Sequence, residues 1–199
     1  MVRRSQRARF QRLRKLSKGP LYALTIRYGR SYLEDHSDHG PAWLTVGIAL
    51  VELARYEEAK QAIAKAIDLC PLEKQHLPLS HMGHLFRFAG DYDQAAAWHR
   101  RACEACPKDA SYHIYLGAVL AKQGRFTEAE EAHRSATRCT EGCIDEAYLN
   151  LGFVLRACER FSEAAECFRE AIRLDPEYRA ARIALRDVER CIKLESSRR

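Results

Sequence analysis

Residues 145–178 decide the fold and read DEAYLNLGFVLRACERFSEAAECFREAIRLDPEY. Each half spaces its apolar and small residues along one face of a helix with 3.6 residues per turn. The first half places Tyr148, Leu151, Gly152 and Leu155 there, and the second places Phe161, Ala164, Phe168 and Ala171 there. Pro176 then ends the second helix. The stretch therefore predicts two short amphipathic helices, which need similar neighbours to bury their apolar stripes.

The rest of the chain supplies those neighbours. The same pattern recurs in residues 40–73, 76–109 and 110–143. One glycine marks the equivalent position in each copy, and Gly47, Gly83, Gly117 and Gly152 lie 36, 34 and 35 residues apart. The turns between the paired helices repeat as well, reading ARYEEA (54–59), GDYDQA (90–95), GRFTEA (124–129) and ERFSEA (159–164). The sequence is therefore an array of four helix pairs.

A period of about 34 residues, with two helices of this small and large pattern, resembles the tetratricopeptide repeat (TPR). The resemblance covers roughly residues 40–178. It implies an all-α fold, a right-handed superhelical solenoid of antiparallel helix pairs with about four repeats. The domains expected are a basic N-terminal arm (1–18), an N-terminal helical half unit (19–39), repeats at 40–73, 76–109, 110–143 and 145–178, and a C-terminal capping helix and tail (179–199).

The charge distribution and the cysteines limit which class of protein this sequence can belong to. The chain has a formal net charge of +6, but residues 1–18 hold eight Arg or Lys and no acid. The remainder has 25 basic and 27 acidic residues, so the basicity belongs to the arm. No apolar run approaches the length of a membrane span, and the N-terminus lacks the pattern of a secretory signal. Eight cysteines without such a signal favour reduced thiols, many buried in helices, and a cytoplasmic protein.

The family resemblance also implies where a ligand binds. Stacked pairs present a concave groove lined by the first helix of each repeat. The expected lining residues are Leu44, Ile48, His81, His84, Arg87, Ile114, Tyr115, Lys122, Leu149, Asn150, Phe153 and Arg156. We expect a non-catalytic adaptor or scaffold that binds a peptide or helix of a partner protein. Its apolar side chains would dock near Ile48 and Ile114, and its carboxylates near Arg87, Lys122, Arg156 and Asn150.

One subfamily is not expected. Chaperone-tail-binding repeats clamp a terminal carboxylate with Lys, Asn and Arg side chains. The corresponding positions here hold Leu44, Ile48, His81, Ser111 and Tyr115.

Catalytic and metal chemistry find little support in the sequence. Phosphate loops, nucleophile elbows and HExxH motifs are missing, so neither catalysis nor a cofactor is expected. Cys103, Cys106, Cys139 and Cys143 form two pairs one repeat apart, a spacing that suits either a zinc site or structural thiols, and we favour structural thiols. His81 and His84 are one helical turn apart and make at most half of a metal site.

The basic arm has three interpretations. Its cations suit electrostatic contact with nucleic acid or anionic lipid, with the repeats then recruiting a partner. An Arg-rich segment without acids also resembles an organelle-targeting sequence. The third interpretation is a solvated tail that aids solubility. In structure, residues 1–18 either form a basic helix with Phe10, Leu13 and Leu16 on one side or are disordered. The runner-up function is therefore an accessory factor attached through residues 1–18.

Overall fold

The computed structural model describes residues 2–197, with side chains from residue 6 onward. Arg3 and Arg4 of the basic arm therefore have no described side chains, and Arg198 and Arg199 of the tail lie outside the described residues. Residues 2–197 form eleven α-helices, one short 3-10 helix and no strand, which confirms the all-α prediction. No helix in this range combines the length and apolar character needed to cross a membrane.

The chain forms two compact units, Met1–Ala105 and Cys106–Arg199. The first contains Val2–Leu16 (α1), Tyr22–Asp35 (α2), Gly40–Glu52 (α3), Tyr56–Leu69 (α4), the 3-10 helix Leu72–Lys74, His76–Phe88 (α5) and Tyr92–Ala105 (α6). The second contains Ala110–Lys122 (α7), Phe126–Thr137 (α8), Ile144–Ala157 (α9), Phe161–Leu174 (α10) and Arg179–Ser196 (α11). The four predicted helix pairs are α3–α4, α5–α6, α7–α8 and α9–α10, and the members of each pair pack on one another.

Each pair is built around one close approach between its helices. The repeated glycine of the first helix faces the side chain 16 residues later on the second helix, and a Cβ on that glycine would collide with it. The partners are Ile63, His99, His133 and Phe168, all buried. At Gly117 the added Cβ would lie 2.5 Å from His133 Nε2. The repeated spacing of small and large residues is therefore what lets the backbones pack closely.

The turn inside each pair also repeats. The first helices end with a hydrogen bond from a backbone N–H to the carbonyl five residues earlier, as in Arg125 N to Leu120 O at 3.0 Å. The residue before that donor has a positive φ, which is typical of a Schellman cap. Gly90 and Gly124 hold this position in two pairs, whereas Ala54 and Glu159 hold it in the others. The turn geometry is thus the same with and without glycine.

The basic arm is a docked helix, which corrects the solvated-tail interpretation. Leu13 of α1 is 0% exposed and lies in one cluster with Val46. The Phe10 ring lies 4.4 Å from the His39 ring, and Arg9 Nη1 donates to Asp35 Oδ2 at 2.6 Å. The apolar face of α1 is therefore used inside the first unit. The exposed cations described on α1 are Arg7, Arg12, Arg14 and Lys15, and Lys18 is exposed just after the helix.

Helix α2 lies in the segment that we interpreted as a half unit, and it packs on both α3 and α1. Tyr32 and Leu33 of α2 are buried in the core of the first unit. The additional contact with α1 gives α2 a partner on each side. The arm and the half unit therefore fold as one structure with the first repeat.

The cysteines differ from expectation in their burial. All eight are free thiols, but only Cys103 is buried. Cys143 and Cys158 are exposed, and Cys70, Cys106 and Cys139 lie in links between helices. The prediction that many serve as buried helical residues is therefore wrong, because five of the eight lie in links between helices and only Cys103 is buried within one.

Candidate functional site

A cavity between α3 and α5 brings four of the predicted lining residues together in the first unit. Its volume is about 230 Å³. We call it the first cleft, and it is lined by Ile48, Val51, Glu52, Ile63, His81, His84, Arg87 and Phe88. Relative to the packing glycines, Ile48 and His84 stand one residue later, and Val51 and Arg87 stand four residues later. Equivalent positions of two successive first helices therefore form this site.

The first cleft is apolar with a sparse polar rim. Burial lowers the pKa of His81 to about 4, and burial with the nearby charge of Arg87 lowers the pKa of His84 to about 4. Both imidazoles are therefore neutral near pH 7. The Arg87 guanidinium lies 4.5 Å from the centre of the Phe88 ring, which is half exposed. Arg87 and Glu52 supply the only formal charges among the lining residues.

A larger cavity lies between α9 and α11 in the second unit. Its volume is about 520 Å³. We call it the second cleft, and it is lined by Phe153, Arg156, Ala180, Ile183, Ala184, Arg186, Asp187 and Arg190. Phe153 and Arg156 again stand one and four residues after the packing glycine, here Gly152. The second wall comes from α11, which takes the place of a first helix.

The side chains of the second cleft are held in position by contacts with one another. The Phe153 ring packs edge-on against the buried Phe168 ring, with 5.5 Å between the centroids and an interplanar angle of 61°. Arg156 lies 5.1 Å above the Phe153 ring and donates from Nη1 to Asp187 Oδ2 at 2.9 Å. This ion pair joins α9 to α11 and neutralises the one carboxylate of the cleft.

Two of the residues predicted to line the groove are buried instead. Ile114 is 3% exposed and Leu149 is 6% exposed, and each lies in a core cluster of the second unit. Both stand three residues before the packing glycine, and the equivalent Ser80 of α5 is buried too. That position faces neighbouring helices, so it offers no surface for docking. Leu44, at the same position in α3, is half-buried against the core.

The remaining predicted residues lie outside both clefts. Asn150 is half-buried, and its Nδ2 donates to the carbonyl of Glu146 at 3.0 Å, so one of its two N–H donors is already used. Tyr115 is half-buried on α7 and Lys122 is exposed at the end of that helix. The cleft positions of α7 hold Ala118 and Ala121, whose small side chains line neither cavity.

The cleft residues that the sequence did not reveal belong mainly to α11. We expected this helix to be a polar cap, yet Ile183 is 53% exposed and Leu194 is 61% exposed. Arg186 and Arg190 follow Ile183 at i+3 and i+7, the spacing of one helical face. The spacing of one isoleucine with two arginines was visible in the sequence, whereas the exposure of the isoleucine was not.

The cysteines and histidines that we considered as metal ligands form no recognisable site in the part of the chain that the structure describes. Within residues 2–197, no three His, Cys, Asp or Glu side chains come together in an arrangement suited to a metal ion. Cys139 donates through Sγ to the carbonyls of Pro107 and Ser135, and burial raises the pKa of this thiol. A raised pKa opposes the thiolate form that metal binding needs.

Sequence models of one family match the chain in three places. Models described as tetratricopeptide repeat match residues 40–71 and 145–178, and one described as TPR repeat matches residues 83–124. Together the three matches cover more than half of the chain.

Two curated relatives share part of this sequence. The tetratricopeptide repeat protein 30 homologs of Drosophila pseudoobscura pseudoobscura and Drosophila melanogaster are 30% and 29% identical over 80 residues. The aligned segment is 40% of this chain and 12% of the length of each relative.

Solved structures share the fold at low sequence identity. The C-terminal part of a TPR repeat-containing protein from Cytophaga hutchinsonii has a TM-score of 0.75 at 16% identity, covering 90% of this chain and 69% of that one. MamA from Desulfovibrio magneticus RS-1 has a TM-score of 0.70 at 19% identity, covering 87% and 97%. YrrB, described as a TPR protein with an unusual peptide-binding site, has a TM-score of 0.65 at 22% identity, covering 86% and 87%.

Proposed function

Because the chain belongs to the tetratricopeptide repeat family, we propose that it is a non-catalytic adaptor that binds a peptide or helix of a partner protein. Repeats of this family generally form protein–protein interaction modules. The convergence of Ile48, His81, His84 and Arg87 on the first cleft carries the proposal. These residues belong to the lining that the family resemblance implies, and here they surround a cavity with room for a large apolar side chain.

The chemistry of the first cleft suits an apolar anchor with polar flanks. Ile48, Val51 and Phe88 provide an apolar wall, while Arg87 and Glu52 stand at the rim with opposite charges. A buried apolar anchor in a formed pocket is the usual centre of binding energy at an interface. Because both walls are packed helices, little conformational entropy is lost when the partner binds.

The test is a peptide-display selection on the full chain, followed by affinity measurement of the selected peptides by fluorescence anisotropy. We expect Ile48→Asp to weaken binding by about tenfold or more, since a carboxylate would then line the apolar wall. Arg87→Glu changes an exposed side chain of the same cleft and should also weaken binding without affecting folding.

The matched control is Leu72→Asp. Leu72 is 77% exposed and lies outside the first cleft, so the same charge change there should leave affinity within about twofold. Circular dichroism would verify that each variant is folded. Peptides that bind all three variants as tightly as the unmodified chain would exclude the first cleft as the binding site.

A further inference from the structure

The outer face of α11 is not the polar surface that a terminal helix of a repeat array requires. Its inner face buries Ala181, Ala184 and Val188. Its outer face nevertheless exposes 53% of Ile183, and this side chain lines the second cleft beside Phe153. The apolar surface of α11 therefore continues beyond what the fold itself covers.

The charge of the second cleft is unbalanced. Arg156 is paired with Asp187, which leaves Arg186 and Arg190 as its other ionic residues. Neither forms an ion pair with any residue whose side chain is described. By contrast, Arg169 and Arg182 of the same unit are paired with Glu189 and Glu177.

The two unpaired arginines are placed to act together. They stand four residues apart on α11, so their side chains leave the same face of the helix. A guanidinium offers a planar set of donors that matches a carboxylate in a bidentate pair. Two such groups beside an apolar floor complement a segment that carries both acidic and apolar side chains.

We infer that the second cleft binds an acidic, amphipathic segment of a partner protein, whose apolar side chains contact Phe153 and Ile183 and whose carboxylates pair with Arg186 and Arg190. The inference rests on the proposed function in that the occupant is a protein segment. The cavity volume of about 520 Å³ exceeds that of the first cleft and suits several side chains rather than one. Charge complementarity selects an acidic occupant.

The experiment selects peptides from one random library on two full-length proteins. One is the unmodified chain and the other is Arg186→Glu with Arg190→Glu. The peptides have about 14 residues, because a helix of that length would match the length of α9. The matched control reverses Arg179 and Lys193, two exposed cations of α11 outside the cleft. Affinities are then measured at about 50 mM and about 500 mM salt, since screening weakens exposed ion pairs.

We expect peptides specific to the unmodified chain to combine Asp or Glu with large apolar residues. Arg186→Glu with Arg190→Glu should weaken their affinity about tenfold or more, and Ile183→Asp should do the same. The control, with the charges of Arg179 and Lys193 reversed, should change affinity less than about threefold. High salt should reduce the difference. Selected peptides that lack acids, or that bind the protein with Arg186→Glu and Arg190→Glu equally well, would overturn the inference.

The two proposals fail separately. Peptides that depend on Ile48 and Arg87 but not on Arg186 and Arg190 would retain the proposed function and exclude the acidic site. Peptides that depend on the second cleft alone would retain the acidic site and exclude the first cleft as the binding site. Sedimentation of the unmodified chain as a dimer that Ile183→Asp dissociates would make a second copy the occupant, which also overturns the inference.

Discussion

The α7–α8 pair and the α9–α10 pair have the same geometry around side chains of opposite character. Gly117 faces His133 in one, and Gly152 faces Phe168 in the other, at the same spacing and with nearly complete burial of each ring. The first unit repeats the contrast with Ile63 and His99. Close packing therefore requires a large side chain opposite the glycine but does not determine whether it is polar. The stability of the pairs should therefore differ in its dependence on acid.

The shared geometry is tested by filling the space beside one ring. We expect Gly117→Val to lower the free energy of unfolding by about 3 kcal/mol, because its side chain must displace the His133 ring. Urea titration would measure the loss. Adding His133→Ala should restore part of it, so that the double variant is more stable than the sum of the two single changes predicts.

A control glycine separates this effect from a general intolerance of valine. A Cβ on Gly19 would meet nothing within 4 Å, so Gly19→Val should cost less than about 0.5 kcal/mol. Additive costs for Gly117→Val and His133→Ala would mean that the two side chains do not share the space.

The contrast in polarity is tested by exchanging the rings. Burial lowers the pKa of His133 from 6.5 to about 4. As the pH falls below 6.5 the unfolded chain binds a proton that the folded chain excludes until about pH 4, so the histidine destabilises the fold over that window. We expect His133→Phe to raise the free energy of unfolding at pH 5, relative to its effect at pH 7.5, by about 2 kcal/mol. Urea titrations at both pH values measure this difference.

The reciprocal change should transfer the acid response to the other pair. Phe168→His should lower stability at pH 7.5, since it places polar atoms in an apolar core, and should lower it further at pH 5. Equal effects at the two pH values in both variants would contradict the assigned roles of these rings.

The smallest difference between the pairs is in their turns. Gly124 and Glu159 hold equivalent positions with φ of 73° and 58°. We expect Gly124→Ala to cost about 1 kcal/mol, the price of a left-handed backbone for a residue with a Cβ. Glu159→Gly should change stability by less than about 0.5 kcal/mol, because relief of that strain is offset by a more flexible unfolded chain. Thermal unfolding resolves the two, and equal shifts in Tm would contradict this account.

The helix pairs could be predicted from the sequence because their decisive contacts lie at fixed separations. Gly152 and Phe168 are 16 residues apart, and each recurs at the repeat period. The cleft positions were partly predictable for the same reason. Ile114 and Leu149 were misplaced because three residues before the glycine is a buried position, and a small error in helical angle moves a side chain from the groove to the core.

The second cleft and the docking of α1 could not be predicted in this way. The exposure of Ile183 depends on how α11 packs against α9, and no repeated position in the sequence predicts that packing. Likewise Leu13, which belongs to no repeat, lies in the same core cluster as Val46 of the first repeat. Such contacts depend on tertiary packing that local periodicity does not encode.

The burial of Leu13 has a consequence for experiments on the charged N-terminal helix. Removing residues 1–18 would delete a core side chain together with the cations, so a lost interaction would report folding and electrostatics at once. Reversing the charge of exposed Arg12, Arg14 and Lys15 leaves Leu13 in place. The surface chemistry of α1 can therefore be separated from its structural role by substitution, whereas truncation combines the two.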